Sequence, residues 1–293
     1  MKNIHRDNLT AVVQHSFAGI GDERTRHLLE QLVGHLHAFA LQTTLTHDEW
    51  RAGLGFLHEA AHITTDSRSE FSLMSDVFGL SSLVDLMSSR PGTTPGSVLG
   101  PFHARGSPWM TTPVNLLADN PGEVVLLHGS VKDEAGQPIT NATIDFWQNA
   151  DNGLYWQQDP EQSQDNLRCQ FKVDASGCFE LLTIRPKPYS IPTDGPIGEL
   201  FRVSGRSQWR PAHFHIIVEA AGYQTLVTEL FDPEDPYLDS DAVFGVRQAL
   251  VTAYQPQNNA ADMARLGLSQ PYLSAEFNVV LPPARARVPS NHA

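Results

Sequence analysis

Two histidines in one short apolar run are the first residues that could bind a metal ion. His213 and His215 lie in the run 212–218, whose apolar and β-branched residues predict a strand. Side chains on a strand alternate between its two faces, so both imidazole rings point to the same side and can bind one ion. A His-x-His pair in a strand is also compatible with a structural role, so the assignment needs further ligands.

Two tyrosines in loop-like segments could supply oxygen ligands. Tyr155 follows Asn152 and Gly153, and Tyr189 lies in the proline-rich segment 185–192. A phenolate is a hard oxygen donor, and with two imidazoles it suits a highly charged ion such as iron(III) better than zinc or magnesium. Loop tyrosines also often bury the ring and hydrogen-bond the hydroxyl, so packing stays open as an alternative.

A second metal-like pattern occurs nearer the N-terminus. His58-Glu59-Ala60-Ala61-His62 places two histidines four residues apart on one face of a predicted helix, with a glutamate between them, as in helical zinc-protease sites. No third-ligand signature follows it. Three hypotheses therefore stand: an iron enzyme that uses the strand histidines, a zinc hydrolase that uses His58, Glu59 and His62, and a metal-free β-sandwich binding module.

Helical patterns occupy the first third of the chain. Apolar residues recur three and four positions apart between residues 22 and 42. Thr46 and Glu49 form a capping-box pattern at the start of a second helix. A third helical pattern runs from about residue 70 to residue 87 and is weakened at Gly79.

Short strands separated by turns dominate the rest of the chain. The segment 90–96, rich in proline and glycine, predicts a boundary between a helical domain, residues 1–97, and a β-sandwich domain, residues 98–293. A helical insertion is predicted near residues 240–253. The predicted strands cover residues 124–131, 143–147, 169–173, 178–184, 213–218, 225–231 and 277–281.

Length, composition and charge exclude several classes of protein. The chain has 293 residues, 41% of them hydrophobic and 18% charged, a composition typical of globular proteins rather than disordered or fibrous ones. A net charge of −13 without a basic patch argues against nucleic-acid binding. The sequence has neither an apolar run of membrane-helix length nor the apolar core of a signal peptide, so we expect a cytoplasmic protein.

Four motifs, in this order along the chain, resemble the intradiol ring-cleavage dioxygenases. They are Leu99-Gly100-Pro101-Phe102-His103, the run 145–155 that ends in Tyr155, the proline-rich loop around Tyr189, and Arg210-Pro211-Ala212-His213-Phe214-His215. The resemblance covers nearly the whole chain. It implies a mainly β fold, in which a β-sandwich catalytic domain follows an α-helical N-terminal dimerisation domain.

The resemblance also implies a ligand set and roles for two residues. An iron(III) ion would be held by Tyr155, Tyr189, His213 and His215, with hydroxide as a fifth ligand. Tyr189 would leave the metal and act as a general base toward the substrate. Arg210 would place a positive charge beside the anion that develops in the aromatic ring.

The segment 100–103 resembles the hydroxyquinol 1,2-dioxygenase branch more than the catechol branch. That branch would cleave benzene-1,2,4-triol with O2 to 3-hydroxy-cis,cis-muconate, the tautomer of maleylacetate; the alternative substrate is catechol or a substituted catechol. Asp76 could accept a hydrogen bond from the third hydroxyl group, and Glu229 stands where a glutamine is expected in many catechol enzymes. The residues that fall where this branch lines its substrate pocket are Leu73, Asp76, Val98, Gly100, Pro101, Phe102, Ile191, Pro192, Arg210 and Val243.

The resemblance implies a homodimer, formed through the helical domain and often around a bound phospholipid. The apolar face of the predicted helix 22–42 is compatible with such an interface, although it equally suits an internal core. We therefore expect a homodimer with a possible phospholipid at its interface, acting on a small aromatic diol or triol and O2.

Overall fold

The computed structural model describes residues 3–66 and 68–284, and it has the predicted helical front and strand-rich back. Two compact units are found, one within residues 3–58 and one within residues 59–284. The helices are α1 (Leu9–His15), α2 (Glu23–Gln42), α3 (His47–Ile63), α4 (Glu70–Val77), α5 (Leu80–Ser88), α6 (Pro196–Ser204) and α7 (Ala260–Leu266). The domain boundary predicted at residue 97 stays a prediction, since the two units divide within α3 and the second includes α4 and α5.

Side-chain caps define the helix starts that the sequence predicts. The Asp22 carboxylate accepts a hydrogen bond from the Thr25 amide at 2.7 Å, which caps α2. At the start of α3, the Thr46 amide donates to Glu49 Oε2 at 2.9 Å and the Glu49 amide donates back to Thr46 Oγ1 at 3.3 Å. This reciprocal pair is the predicted capping box.

The helix predicted over residues 70–87 is two helices. Gly79 adopts the left-handed conformation, with φ of 72°, and separates α4 from α5. Glycine takes this conformation without the steric cost that a Cβ atom would add, so the chain can turn at this point. No single helix among the described residues is long and apolar enough to cross a membrane; α4 and α5 reach the length and composition only as a pair, bent by 73°.

The second unit contains the predicted β-sandwich. The strands are β1 (Val114–Asn115), β2 (Val124–Asp133), β3 (Thr143–Trp147), β4 (Arg168–Lys172), β5 (Cys178–Ile184), β6 (Tyr189–Ser190), β7 (Trp209–Arg210), β8 (His213–Glu219), β9 (Leu226–Phe231), β10 (Tyr254–Gln257), β11 (Tyr272–Glu276) and β12 (Val279–Leu281). One sheet has the order β1-β5-β2-β11-β10, with β12 also paired to β2, and the other has the order β4-β3-β8-β9. The main hydrophobic cluster contains residues of both sheets, as a sandwich core requires.

Strand β8 divides its side chains between this core and the other face of its sheet. Phe214 and Ile216 belong to the core, whereas His213 and His215 lie outside that cluster. The two histidines pair with Phe231 and Glu229 of β9. The predicted placement of both imidazoles on one face is therefore confirmed.

The insertion near residues 240–253 is not an α-helix. It contains two short 3-10 helices, Leu238–Ser240 and Gln248–Leu250. Between them, the Asp241 carboxylate accepts hydrogen bonds from the amides of Val243, at 3.3 Å, and Gly245, at 2.7 Å. These bonds satisfy backbone donors within a loop, so the apolar spacing at this point does not produce a helix.

Replacement of Gly129 by alanine should destabilise the β-sandwich. A Cβ atom at Gly129, in β2, would lie 1.8 Å from the carbonyl oxygen of Phe277, so one of two paired backbone segments must move. We expect Gly129→Ala to lower the free energy of unfolding by about 3 kcal/mol or more. The measurement is urea unfolding followed by circular dichroism.

Gly136→Ala is the control for this substitution. Gly136 has φ of 79° but nothing within 4 Å of its Cβ position, so only conformational strain, roughly 1–2 kcal/mol, is expected. Equal losses of stability in the two variants would show that the close backbone approach at Gly129 is unimportant.

Candidate metal centre

His213 and His215 form the centre of a buried site. Their Nε2 atoms lie 3.1 Å apart, and the Nδ1 of His213 lies 2.6 Å from the carbonyl oxygen of Pro211, which leaves the His213 Nε2 lone pair toward His215. Burial, with the charge of Arg210, lowers the pKa of His213 to about 4. Burial and the neighbouring His213 also lower the pKa of His215 well below its ordinary value. Both rings are therefore neutral and available as ligands at pH 7.

Tyr155 and Tyr189 lie beside the two histidines. Their ring centroids are 5.4 Å apart, Tyr155 lies 6.2 Å from His215, and Tyr189 lies 5.7 Å from His213. The Tyr155 hydroxyl is buried and has no hydrogen-bond partner among the described residues. Burial raises the pKa of Tyr189 to about 12 and that of Tyr155 well above its ordinary value, although the charge of Arg210 acts in the opposite direction, so a bound metal ion would be needed to ionise either phenol at pH 7.

Local structure explains how the two tyrosines reach the site. Gly153, with φ of 79°, turns the chain just before Tyr155, and its Cβ position is 3.3 Å from the carbonyl oxygen of Pro188 in the Tyr189 loop. Strand β6 pairs with β7 so that Tyr189 lies opposite Arg210. The antiparallel pair therefore connects the Tyr189 loop to the segment that leads into β8.

Aromatic side chains pack against two of the candidate ligands, His215 and Tyr155. Trp147 stacks on His215 with the ring planes 5° apart and the centroids 4.7 Å apart. Phe102 stacks on Tyr155, with centroids 4.7 Å apart. Both contacts restrict ring rotation, so the orientations of His215 and Tyr155 are set by packing.

Arg210 is fully buried and binds two carboxylates. Its Nη1 and Nη2 donate to Glu229 Oε1 and Oε2 at 2.7 and 3.0 Å, and its Nε and Nη2 donate to Asp241 Oδ1 and Oδ2 at 3.0 and 3.2 Å. Burial opposes the charge on Arg210, but Asp241 and Glu229 raise its pKa well above the ordinary value. Burial likewise opposes ionisation of Glu229, but the charge of Arg210 lowers its pKa overall. Arg210 and Glu229 are therefore both charged.

Ser97 and Asp241 are parts of this network that sequence analysis missed. Ser97 Oγ donates to Glu229 Oε2 at 2.6 Å, although the two residues are 132 positions apart. Neither residue belongs to a local motif, and no spacing in the sequence relates them to Arg210. Only the fold could identify them.

A cavity next to the metal centre contains part of the predicted substrate pocket. Gly100 lines this cavity, and its Cβ position is 3.0 Å from His215 Cε1, so one residue of the cavity wall contacts the candidate metal centre. Asp76 also lines it, and burial raises the pKa of this carboxyl to about 6, although the Ser81 hydroxyl acts in the opposite direction. Of the other predicted residues, Phe102 packs against both tyrosines. Those that are buried or half-buried without lining this cavity are Leu73, Val98, Pro101, Ile191, Pro192 and Val243.

One group of three or more potential His, Cys, Asp or Glu ligands occurs in the part of the chain that the structure describes. It consists of His213, His215 and Glu229, with the three potential ligand atoms within 4.8 Å of one another. The His58-Glu59-x-x-His62 pattern joins no such group among these residues. The geometry therefore favours the strand histidines over the zinc hypothesis.

Comparison with known proteins identifies the family. Residues 98–283 match the sequence model described as dioxygenase, and residues 22–94 match the one described as catechol dioxygenase N terminus. An intradiol ring-cleavage dioxygenase from Aspergillus niger is 39% identical over 96% of this chain and 86% of its own length. This chain belongs to the intradiol ring-cleavage dioxygenases.

Two further relatives of this dioxygenase are described as acting on hydroxyquinol. A hydroxyquinol 1,2-dioxygenase from a Rhizobium species is 39% identical over 89% of this chain and 90% of its own length. The crystal structure of hydroxyquinol 1,2-dioxygenase from Pseudomonas putida DLL-E4 superposes with a TM-score of 0.81 and 39% identity, covering 95% of this chain and 99% of that one. The predicted family is thereby confirmed.

The residues of the site fit the metal on which this family depends. Intradiol dioxygenases are iron-dependent enzymes. Two neutral imidazoles whose Nε2 atoms face each other, beside two phenols, form a nitrogen and oxygen donor set that suits iron. The buried Tyr155 hydroxyl, which has no hydrogen-bond partner among the described residues, fits the role of a metal ligand.

Asp76→Asn should change the pH dependence of the dioxygenase's stability. In the folded protein the pKa of the Asp76 carboxyl is raised to about 6, whereas the ordinary value, 3.8, applies to the unfolded chain. As the pH rises, the unfolded chain therefore loses this proton at a lower pH than the folded protein does, which favours unfolding. The wild type therefore loses stability between about pH 4 and pH 6, and the variant lacks this loss. Relative to the wild type, the variant should gain up to roughly 3 kcal/mol between pH 4 and pH 7.

Urea unfolding at pH 4, 5, 6 and 7 measures this difference. Asp239→Asn, at an exposed position, is the control, and its difference from the wild type should stay constant. A constant difference for Asp76→Asn as well would contradict the raised pKa.

Proposed function

We propose that this dioxygenase cleaves hydroxyquinol, benzene-1,2,4-triol, with O2. The product would be 3-hydroxy-cis,cis-muconate, the tautomer of maleylacetate, formed during degradation of aromatic compounds. The observation that carries the proposal is the buried carboxyl of Asp76 in the wall of a cavity, a wall that also includes Gly100, the residue that contacts His215. The alternative substrate is catechol or a substituted catechol, which would leave Asp76 without a hydroxyl group to bind.

We infer that Tyr155, Tyr189, His213 and His215 hold iron(III). Support comes from the short distance between the two Nε2 atoms and from the adjacent phenols. Bound iron(III) would act as a Lewis acid, which lowers the pKa of coordinated hydroxyl groups and makes the substrate ring electron-rich enough to react with O2.

Tyr189 and Arg210 would then act on the substrate. Burial raises the pKa of Tyr189 to about 12, so its phenolate would be basic enough to take a proton from a substrate hydroxyl. Arg210 lies opposite Tyr189 in the β6–β7 pair, with Nη1 3.3 Å from His213 Nε2. Its positive charge beside the metal centre would stabilise the anion that develops in the ring.

Asp76 would select the triol. A buried carboxylate can accept a hydrogen bond from the third hydroxyl group, and it remains unpaired when a diol binds. Ser75 and Ser81 line the same cavity, and their hydroxyl oxygens are 2.8 Å apart. This polar part of the wall suits a substrate with a further hydroxyl group.

We also propose a cytoplasmic homodimer that uses the helical region. Helix α2 has four apolar side chains that are half exposed, as expected of a surface that a second copy or a phospholipid could cover: Leu28, Leu32, Leu36 and Phe39. Light scattering of the purified protein would measure the assembly state, and mass spectrometry of an organic extract would detect a bound phospholipid.

The visible spectrum tests the proposed ligand set. The purified protein should be wine-red from tyrosinate-to-iron(III) charge transfer, and the band should shift when hydroxyquinol is added without oxygen. Tyr155→Phe should weaken the band because one phenolate is lost, whereas Tyr272→Phe, on β11, should keep it. His58→Ala should retain full ring-cleavage activity, because the iron hypothesis gives that residue no role.

A colourless protein that contains no iron and stays inactive after iron loading would rule out the dioxygenase proposal. It would favour the metal-free binding module. Loss of activity in His58→Ala with no change in iron content would reopen the question of the helical histidines.

Substrate preference tests the role of Asp76. Asp76→Ala should lower kcat/KM for hydroxyquinol by about 10-fold to 100-fold, the range expected for one hydrogen bond to a charged group, and change kcat/KM for catechol much less. Asp85→Asn is the control, because Asp85 is a second carboxyl in the wall of this cavity. An equal loss on both substrates would mean that Asp76 does not distinguish the third hydroxyl group.

A further inference from the structure

Glu229 is a buried carboxylate that the proposed reaction does not use. Its side chain has no solvent exposure, and it lies directly opposite His215 in the β8–β9 pairing. Oε1 lies 3.5 Å from His213 Nε2 and 3.5 Å from His215 Nδ1. The carboxylate therefore contacts both histidines of the metal centre.

The buried charges around Arg210 do not cancel. Arg210 contributes one positive charge, and its two partners Glu229 and Asp241 contribute two negative charges. Among the described residues, no other lysine or arginine forms an ion pair with either carboxylate. The three side chains therefore carry a net charge of −1. Of the two negative groups, the Glu229 carboxylate is the one that lies beside His213 and His215.

The backbone at Gly245 packs closely against the ion pair between Glu229 and Arg210. A Cβ atom at Gly245 would lie 2.7 Å from Glu229 Oε2 and 2.8 Å from Arg210 Nη2, so the loop closes over the ion pair only because residue 245 is glycine. Ser97 Oγ lies 2.6 Å from Oε2 and 2.7 Å from the carbonyl oxygen of Gly245, so its one hydroxyl hydrogen is shared between these two acceptors. The Glu229 carboxylate is fully buried, and a charge in such surroundings is weakly screened.

A negative charge beside a metal centre favours the higher oxidation state of the metal. Reduction of iron(III) to iron(II) adds an electron to the site, and repulsion from a fixed carboxylate opposes that addition. Charge and hydrogen bonding near the ligands are established means by which proteins adjust a reduction potential.

The proposed substrate makes this control important. The third oxygen of a benzenetriol donates electron density to the ring, so the triol is oxidised more easily than a diol. In an unproductive side reaction, one electron would pass from the triol to the metal, iron(III) would become iron(II), and the oxidised triol would release a proton. A site for this substrate needs a lower reduction potential than a site for catechol.

We propose that Glu229 lowers the reduction potential of the bound iron and so protects the ferric state from its own electron-rich substrate. This inference rests on the proposed function, because it requires iron at the site and the triol as substrate. Glu229 is a positioning and charge-setting residue that acts through His213 and His215.

Glu229→Gln tests the proposal because it removes the charge and keeps the size of the side chain. The iron(III)/iron(II) midpoint potential, titrated under argon with redox mediators and followed by the tyrosinate-to-iron band, should shift to a more positive value than in the wild type. Hydroxyquinol added without oxygen should bleach a larger fraction of the band in the variant, and catechol should not.

Two further variants separate charge from structure. Glu229→Asp keeps the charge, and its potential should stay near the wild-type value. Ser97→Ala removes the hydrogen bond to Oε2 and leaves the negative charge less compensated, so its potential should shift to a more negative value. This opposite shift tests the proposal even if Glu229→Gln does not fold or does not retain iron.

Three outcomes would overturn the proposal. They are an unchanged potential in Glu229→Gln with its iron and band intact, equal positive shifts in Glu229→Gln and Glu229→Asp, and no negative shift in Ser97→Ala. A wild-type protein without iron or without the band would overturn the proposed function itself, which is a separate result, because the potentials are measured only once the wild-type band is present.

Discussion

The buried ion pairs of Arg210 are the interaction on which the site depends. The guanidinium group of Arg210, on β7, contacts three other pieces of the chain: Glu229 on β9, the loop that begins at Asp241, and His213 at the start of β8. Removing one partner from such a network leaves an uncompensated buried charge, which typically costs about 3–5 kcal/mol. Loss of any one partner is therefore costly, and the intact network fixes the positions of Glu229, Asp241 and His213 relative to Arg210.

Strand β8 shows how the fold serves the site and the core together. Phe214 and Ile216 pack between the sheets, while His213 and His215 lie on the opposite face, among the tyrosines and Trp147. Because successive side chains alternate, a slip of one residue in register would place the imidazoles in the core. The same pairing that buries Phe214 therefore orients the two imidazoles, and Trp147, stacked on His215, adds a second restraint.

The cavity beside the site depends on a break in a helix. Gly79 ends α4 and allows α5 to turn away, and residues of both helices line the cavity together with Gly100. Asp76, near the end of α4, is buried there at a cost seen in its raised pKa of about 6. A carboxyl that is costly to bury and that lines a cavity is a candidate for substrate recognition, because burial of this group does not stabilise the fold.

The sequence by itself determined the parts of the protein that depend on local order. The periods of 3.6 and 2 residues predicted α2, α3, the region of α4 and α5, and seven of the twelve described strands, but not α1, α6 or α7. The capping box at Thr46 and Glu49 was correct, and the His-x-His pair had to share one face of its strand. The motifs around Tyr155, Tyr189 and Arg210 identified the family before the fold was known. Each of these signals lies within a few consecutive residues.

Only the tertiary structure decided which distant residues meet. Ser97 contacts Glu229 from 132 positions away, and Asp241 binds Arg210 from 31 positions away. The apolar spacing near residues 240–253 resembled a helix, but the Asp241 carboxylate binds the backbone amides and holds a loop. Periodicity shows which face of a helix or strand is apolar. The charge balance around Arg210 depends instead on contacts between distant residues, which form only when the sheets pack, so no local sequence pattern could predict this balance.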